Sequence, residues 1–471
     1  MALAGDAAGR QHQASRIMTT LLVRNARVLV TMDDEEREIE NGGLFIRDGF
    51  IEQVGDSRTL PQVVDETVDL GGHVVLPGLV NTHHHLFQTL DRAYPPSQNG
   101  NLVQWLTGLY PRWVNVDPEH FALSTELGLA EIALSGCTTV ADHHYLWPKG
   151  VTAASQFEAA DKIGVRFHLG RGSQNIGQPQ GGFAPASLIE DEDEILADTA
   201  SVIDRFHDAA PGSFRQVFVA PSSIRSATPS LISRSAELAG KRGVGLHIHL
   251  GETAVEIDFS LDKFGKRPAQ LAEELGCLTP RTWLAHGVHF NEADVAILGR
   301  CGCGICHCPS SNMRLSSGIA PVSRYMKGGL TVGLGVDGSA SNDSSNLLNE
   351  MRTALLLSRV TATSNANFLS ARTVLQMATR NSAQLLGRTD IGRLAPGYAA
   401  DFIAIDTDRI EIAGSEDPVA AIVFCALTRV DHSWVHGKPL IRNSGFAGFD
   451  LPGLIEKLRS KSAAARSRSI A

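Results

Sequence analysis

The chain has 471 residues, 43% of them hydrophobic, which is enough to bury a large core. Its net charge of −9 comes without any concentrated basic stretch, which argues against a nucleic-acid surface and leaves a small-molecule enzyme or a neutral binding module. No run of 18 apolar residues occurs, so no membrane-spanning helix is expected.

Residues 1–20, MALAGDAAGRQHQASRIMTT, lack the long apolar segment of a signal peptide and read as a loose N-terminal extension, so a cytoplasmic protein is the expectation. The seven cysteines are an odd number in a long chain, and no disulfide framework is expected. Residues 21–70 read as short strands, LLVRNARVLV and GGLFIRDGFIEQVG, with a turn at Asp48-Gly49.

The pattern then alternates between apolar runs and helices with start and stop signals. Strand candidates are 74–82, 137–143, 164–170, 215–221, 243–250, 281–287, 302–308 and 330–337. Asp117-Pro118 opens a helix that Gly136 closes. Ser187 and Glu190 make a capping box before the next long helix, and Thr228-Pro229 and Asn291 are further N-caps. Eight strand-then-helix units predict a parallel (β/α)₈ barrel over residues 76–394. Beyond it, YAADFIAIDT and HSWVHGKPLIRN, the latter with a Gly-Lys-Pro turn, are again strand-like. Residues 21–75 and 395–445 are therefore expected to form one small β-sandwich domain, with 446–471 a C-terminal helical tail.

In such a barrel the functional groups sit at the C-terminal strand ends. Those positions hold His83, His84 and His85, then His247, His249 and Glu252, then His286 and finally Asp337. A single histidine near a strand end is usually an ordinary hydrogen-bonded residue. Imidazoles and a carboxylate converging from four strand ends are harder to produce by accident, and they suit a zinc or iron ion with a position left for water. His83 and His85 are two apart and share a face, so His84 points the other way.

The segments PGLVNTHHHLFQ, HIHLGET, LAHGVHF and GLGVDGSASND resemble, in order and spacing, the amidohydrolase superfamily and its branch of purine and heterocycle aminohydrolases. The resemblance covers nearly the whole chain, IGRLAPGYAADFIAID included. It implies a metal held by His83, His85, His249 and Asp337. Binuclear members bridge two ions with a carboxylated lysine on the fourth strand, and no lysine occurs here from residue 163 to 240, so one divalent ion per chain is expected, zinc with iron as the alternative.

A divalent metal lowers the pKa of bound water toward neutrality. In the resembled deaminases a glutamate placed as Glu252 is here, in His-x-x-Glu, shuttles a proton from water to a ring nitrogen; its ordinary role would be to open a helix at the dipole-favoured end. The resemblance also implies that Asp337 takes the second proton and that His286 holds the attacking hydroxide or the developing charge. Gln88 lies three residues after the second ligand, where guanine deaminases carry a purine-binding glutamine, and its amide suits a lactam edge. Trp105 and Arg112, in NLVQWLTGLYPRW, are further candidate substrate contacts, a stacking ring and a carbonyl partner, with core packing and a surface salt bridge as the ordinary readings.

Within the branch, NTHHHLFQTL, APSSIRS and CPSSNMRLSSG most resemble the 8-oxoguanine deaminases, which implies hydrolysis of 8-oxoguanine to urate and ammonia. Ser222 follows Pro221 where guanine deaminases carry arginine, a departure that Arg225 would have to make good. Hydroxylated s-triazine aminohydrolysis, guanine deamination and amide hydrolysis are the alternatives. The implied partner is a small heterocycle rather than nucleic acid or membrane, with a homo-oligomer expected.

Two motifs invite other readings. CGCGICHC (301–308) lacks the spacing of paired Cys-x-x-Cys sites and coincides with the seventh strand candidate, so small buried residues are expected. GLGVDG (333–338) matches Gly-x-Gly-x-x-Gly without the rest of a dinucleotide-binding unit, and its glycines more simply let backbone pass close to Asp337.

Overall fold

The computed structural model describes residues 19–362 and 364–468, so the N-terminal extension lies outside the described residues except for Thr19 and Thr20. Eight parallel strands follow one another in sequence order around a barrel: Leu79–Asn81, Cys137–His144, Arg166–Ser173, Arg215–Pro221, Leu246–Leu250, Thr282–His286, Gly304–His307 and Val332–Leu334. They are numbered one to eight below. The barrel closes where the Thr82 amide and hydroxyl both donate to the Leu334 carbonyl, at 3.0 and 2.9 Å. Strands covered on both faces need buried residues throughout, and in CTTVADHH and RFHLGRGS every residue is buried.

Each barrel strand overlaps its candidate segment, but the first candidate, 74–82, is divided between two sheets. His73–Pro77 pairs with the end domain, and only Leu79–Asn81 enters the barrel. Gly78 is the crossing point. A Cβ there would lie 2.2 Å from the Thr138 hydroxyl, so only glycine lets the two layers approach.

The helix starts at Asp117, Thr228 and Asn291 form as read, each side chain accepting a backbone N–H of the first turn. The capping box expected at Ser187 and Glu190 does not form. Asp191 caps the helix Glu192–Phe206, Ser187 sits in a short 3-10 turn, and Glu190 pairs instead with Arg171. The Arg171 guanidinium is buried and demands a carboxylate, and that requirement outweighs a cap.

The strands at the chain ends form one mixed sheet of nine. Its central pairings bring His73–Pro77 between Thr20–Val30 and Phe402–Asp406, so the two ends of the chain share one sheet. Leu29, Leu44, Val75, Phe402 and Trp434 are among its own buried core. Asp48 and Gly49 both adopt positive φ, 49° and 82°, the two-residue turn that matches strand twist. The second expected turn lies earlier than read: His436 and Gly437 make it, and Lys438-Pro439 already belong to the next strand.

The two units are joined beneath the barrel. Arg166, wholly buried on the third strand, makes a two-pronged ion pair with Asp401 at 2.7 and 3.0 Å and donates to the Ser213 carbonyl at 2.9 Å. The C-terminal helix Leu451–Arg468 is tied to the start of the helix Pro118–Leu134 by Lys461, which reaches Asp117 and Glu119. Among the described residues no helix is long and apolar enough to cross a membrane.

Candidate metal centre and its cavity

The C-terminal strand ends open into a cleft lined by His85, His249, His286, Asp337, Glu252 and Gln88. Hydrogen bonds determine which nitrogen of each imidazole faces it. His85 Nδ1 lies 2.7 Å from the His143 carbonyl and His249 Nδ1 lies 2.6 Å from the Ser222 carbonyl. A carbonyl only accepts, so both Nδ1 atoms carry the proton and both Nε2 atoms carry lone pairs. His247 Nδ1 likewise donates to the Trp283 carbonyl, which leaves His247 Nε2 to accept from His83 Nδ1 at 2.8 Å. The fourth lone pair is thereby directed: His83 Nε2 is buried without a hydrogen-bond partner.

These atoms converge. His85 and His249 Nε2 are 3.1 Å apart, and the His83 and His85 Nε2 atoms each lie 3.3 Å from Asp337 Oδ1. Lone pairs facing one another in a buried site repel unless a cation sits among them. Separations of this size suit donor atoms sharing one ion at about 2.0–2.1 Å. The residues present therefore fit a divalent metal, with Nδ1 hydrogen bonds orienting each ring as metal-ligating histidines require. A second trio, His83, His143 and His247, also lies close enough for an ion, but His247 Nε2 already accepts the His83 Nδ1 proton.

Glu252 follows His249 across a turn at Gly251, whose φ is 67°. Its Oε2 lies 3.9 Å from His286 Nε2, which is also 3.9 Å from Asp337 Oδ2. Burial raises the Glu252 carboxyl above its usual range. Burial alone would lower the His286 imidazole, but the facing carboxylates of Glu252 and Asp337 outweigh it and the net shift is upward. Burial would raise Asp337, yet the facing imidazoles, His83 foremost with His85 and His286, hold it well below the usual carboxylate range. His286 and Asp337 adopt φ values of 73° and 64°, the left-handed region that non-glycine residues avoid. Such strain collects where the surroundings over-determine a side chain's position.

Gln88 is buried in the cavity wall, its Nε2 donating to the Tyr145 hydroxyl at 3.1 Å while Oε1 has no partner. Trp105 also lines the cleft, its indole N–H donating to the Ala340 carbonyl at 2.8 Å. Arg112 does not reach it, contrary to expectation. Its guanidinium pairs with buried Asp91 and lies 5.2 Å over the Tyr94 ring, because the Asp91 carboxylate, itself bonded to the Trp113 indole, needs a cation. His84 turns away from the centre as expected and meets the Ser345 hydroxyl at 2.9 Å. Arg225 stands at the cavity mouth between the rings of Phe183 and Phe259, 4.4 and 5.0 Å from their centres.

Several contributors escaped the sequence reading. Tyr145 holds Gln88, and Glu256 accepts the amides of Gly251 and Glu252 at 3.0 and 2.9 Å. Ser311, Asn312 and Ser317 bond Asp337, His286 and Glu252 across 26 to 65 residues of chain, and no periodicity or spacing rule signals partners so distant. The two decoy motifs resolve as packing: Cys303, Cys306 and Cys308 are buried, and a Cβ on Gly335 would lie 2.8 Å from the His83 Cβ.

The profile of the Amidohydrolase family matches residues 74–440. An 8-oxoguanine deaminase of Pseudomonas aeruginosa is 45% identical over 90% of this chain and 94% of its own. A hydroxydechloroatrazine ethylaminohydrolase of a Pseudomonas species (strain ADP) is 37% identical, covering 92% of this chain and 93% of its own. Among solved structures, the atrazine chlorohydrolase of Arthrobacter aurescens TC1 complexed with zinc superposes with a TM-score of 0.90 at 32% identity, over 93% of this chain and 99% of that one.

Proposed function

This chain belongs to the amidohydrolase family and is a metal-dependent aminohydrolase, and on that premise we propose that it deaminates 8-oxoguanine to urate and ammonia. The observation that carries the reading is the convergence of the His83, His85 and His249 Nε2 lone pairs and Asp337 Oδ1 beside the buried carboxyl of Glu252. When bound, a divalent ion supplies the Lewis acidity that makes water a nucleophile near neutral pH.

The chain's own groups handle the protons. Glu252, its carboxyl raised by burial, accepts a proton from the attacking water and delivers it to the ring nitrogen, so the neighbouring carbon becomes electrophilic. Water oxygen bonds to the carbon that bears the amino group, and the C–N bond breaks as that nitrogen leaves as ammonia. Asp337 Oδ2 takes the second water proton and passes it to that nitrogen before the C–N bond breaks, and His286 Nε2 stabilises the oxygen charge that develops. The absence of lysine between residues 163 and 240 supports one ion per chain.

The choice of ring rests on likeness to the Pseudomonas aeruginosa enzyme together with the unpartnered Gln88 Oε1, a buried acceptor that suits a lactam N–H, and on Arg225, whose guanidinium suits a carbonyl oxygen. The relative that acts on hydroxydechloroatrazine supports hydroxylated s-triazines as the second reading. A spectrophotometric panel of 8-oxoguanine, guanine, isoguanine, cytosine and hydroxytriazines separates them. Urate formation from 8-oxoguanine is expected; ammonia from another ring alone would sink the substrate and keep the reaction class.

A further inference from the structure

Between the seventh and eighth strands lies a short helix, Pro309–Arg314, followed by a turn that ends at Gly318. Three of its side chains reach the three proton-handling groups. Ser311 Oγ donates to Asp337 Oδ2 at 2.5 Å, Asn312 Oδ1 accepts from His286 Nδ1 at 2.9 Å, and Ser317 Oγ donates to Glu252 Oε1 at 3.2 Å. Glu252, His286 and Asp337 follow three different strands, the fifth, sixth and eighth, and this stretch is what they share.

The stretch is itself anchored. The buried Glu350 carboxylate accepts the Ser310 amide at 2.8 Å and its hydroxyl at 2.6 Å. The Ser317 amide donates back to the Asn312 carbonyl at 2.8 Å, and the Ser317 carbonyl accepts from His289 at 2.8 Å. Ser311 and Asn312 are fully buried.

We infer that residues 311–317 act as one positioning element for the three proton carriers, and that Asn312 aims the His286 ring. This rests on the reading above, in which those groups move protons. Each bond fixes how a group is turned. Ser311 orients Asp337 so that Oδ2 stands away from the histidine set that Oδ1 faces; Ser317 holds Glu252 Oε1, leaving Oε2 toward His286. Asn312 occupies His286 Nδ1, so Nε2 is the nitrogen that faces the carboxylates. Of the three proton carriers, the two whose backbone is held in the left-handed region, His286 and Asp337, are the two that Asn312 and Ser311 grip. A strained backbone persists only where its side chain is fixed from outside, and a preorganised site needs that fixing before substrate arrives.

The test compares Asn312→Leu, which keeps volume and loses the acceptor, with Asn312→Asp, which keeps an oxygen there. Each is assayed for bound zinc, melting temperature, kcat, KM and solvent deuterium isotope effect, on whichever panel heterocycle releases ammonia fastest. Asn312→Leu is expected to lose about 10- to 100-fold in kcat, the usual cost of removing such a supporting bond, with KM and zinc content near those of the wild type. Its isotope effect rises because proton transfer becomes the slow step, and Asn312→Asp recovers most of the rate. Unchanged kcat in Asn312→Leu, zinc lost together with activity, or no recovery in Asn312→Asp would each overturn the inference. Should Asn312→Leu not fold, Ser317→Ala takes its place, with a severalfold fall in kcat expected and no fall overturning the inference. Glu252→Gln is run alongside: full turnover there would defeat the proton-shuttle reading itself, whereas loss there with Asn312→Leu unaffected defeats only the positioning role.

Discussion

At the residue scale the site is a matter of which atom each side chain has free. Glu252 lies outside the converging histidine and Asp337 atoms, so Glu252→Gln should keep its metal while kcat falls by about 10²- to 10⁴-fold, the range for a positioned acid–base group. Zinc analysis beside steady-state kinetics checks it, and near-full turnover would remove the shuttle. Gly338 offers a second probe. A Cβ there would sit 1.9 Å from Gln88 Oε1, whereas its backbone lies outside the left-handed region, so Gly338→Ala should fold and bind zinc but displace the Gln88 amide. The expected result is an altered preference across the heterocycle panel, by about tenfold for a disturbed polar contact worth about 1.4 kcal/mol. An unaltered preference would take Gln88 out of substrate reading.

At the scale of elements, the junction between the barrel and the end sheet is a buried electrostatic layer. Removing one partner of a wholly buried ion pair leaves the other charge stranded, so Asp401→Asn should cost about 3–5 kcal/mol, read as a lower urea midpoint. His168, on the third strand, adds a pH term. Burial and the guanidinium of Arg388, 3.2 Å from His168 Nε2, depress its pKa well below the ordinary 6.5. A depressed pKa in the folded state means that the unfolded chain binds the proton first as pH falls. Stability contributed by neutral His168 is therefore present above 6.5 and is lost progressively below it. Urea midpoints between about pH 7 and 5 should fall for the wild type and fall less steeply for His168→Gln; equal slopes would assign the acid sensitivity elsewhere.

For the whole molecule, a metal held as proposed by His83, His85, His249 and Asp337 would tie the first, fifth and eighth strand ends of the barrel together. Removing it by chelation should abolish turnover and lower the melting temperature by a few degrees, since a ligand at 100 times its Kd contributes about 2.7 kcal/mol. Zinc at one equivalent per chain should restore both, and a requirement for two equivalents would contradict the single-ion reading.

Much of this was legible in the chain. Eight apolar runs in sequence order, alternating with helices whose starts at Asp117, Thr228 and Asn291 are readable, specify a parallel barrel because local periodicity and chain order are both sequence properties. The His83–His85 pair with a shared face, and His249, His286 and Asp337 at strand ends, were equally readable, since barrels place functional groups there. What only the tertiary structure decided is how each group is oriented and satisfied. Arg112 went to Asp91 rather than the cavity and Glu190 to Arg171 rather than a helix cap, because buried charges choose their partners in space. Asn312 met His286, and His247 met His83, across 26 and 164 residues of chain. A hydrogen bond of about 3 Å is a relation between neighbours in three dimensions, and no pattern along the chain encodes it before the barrel has closed.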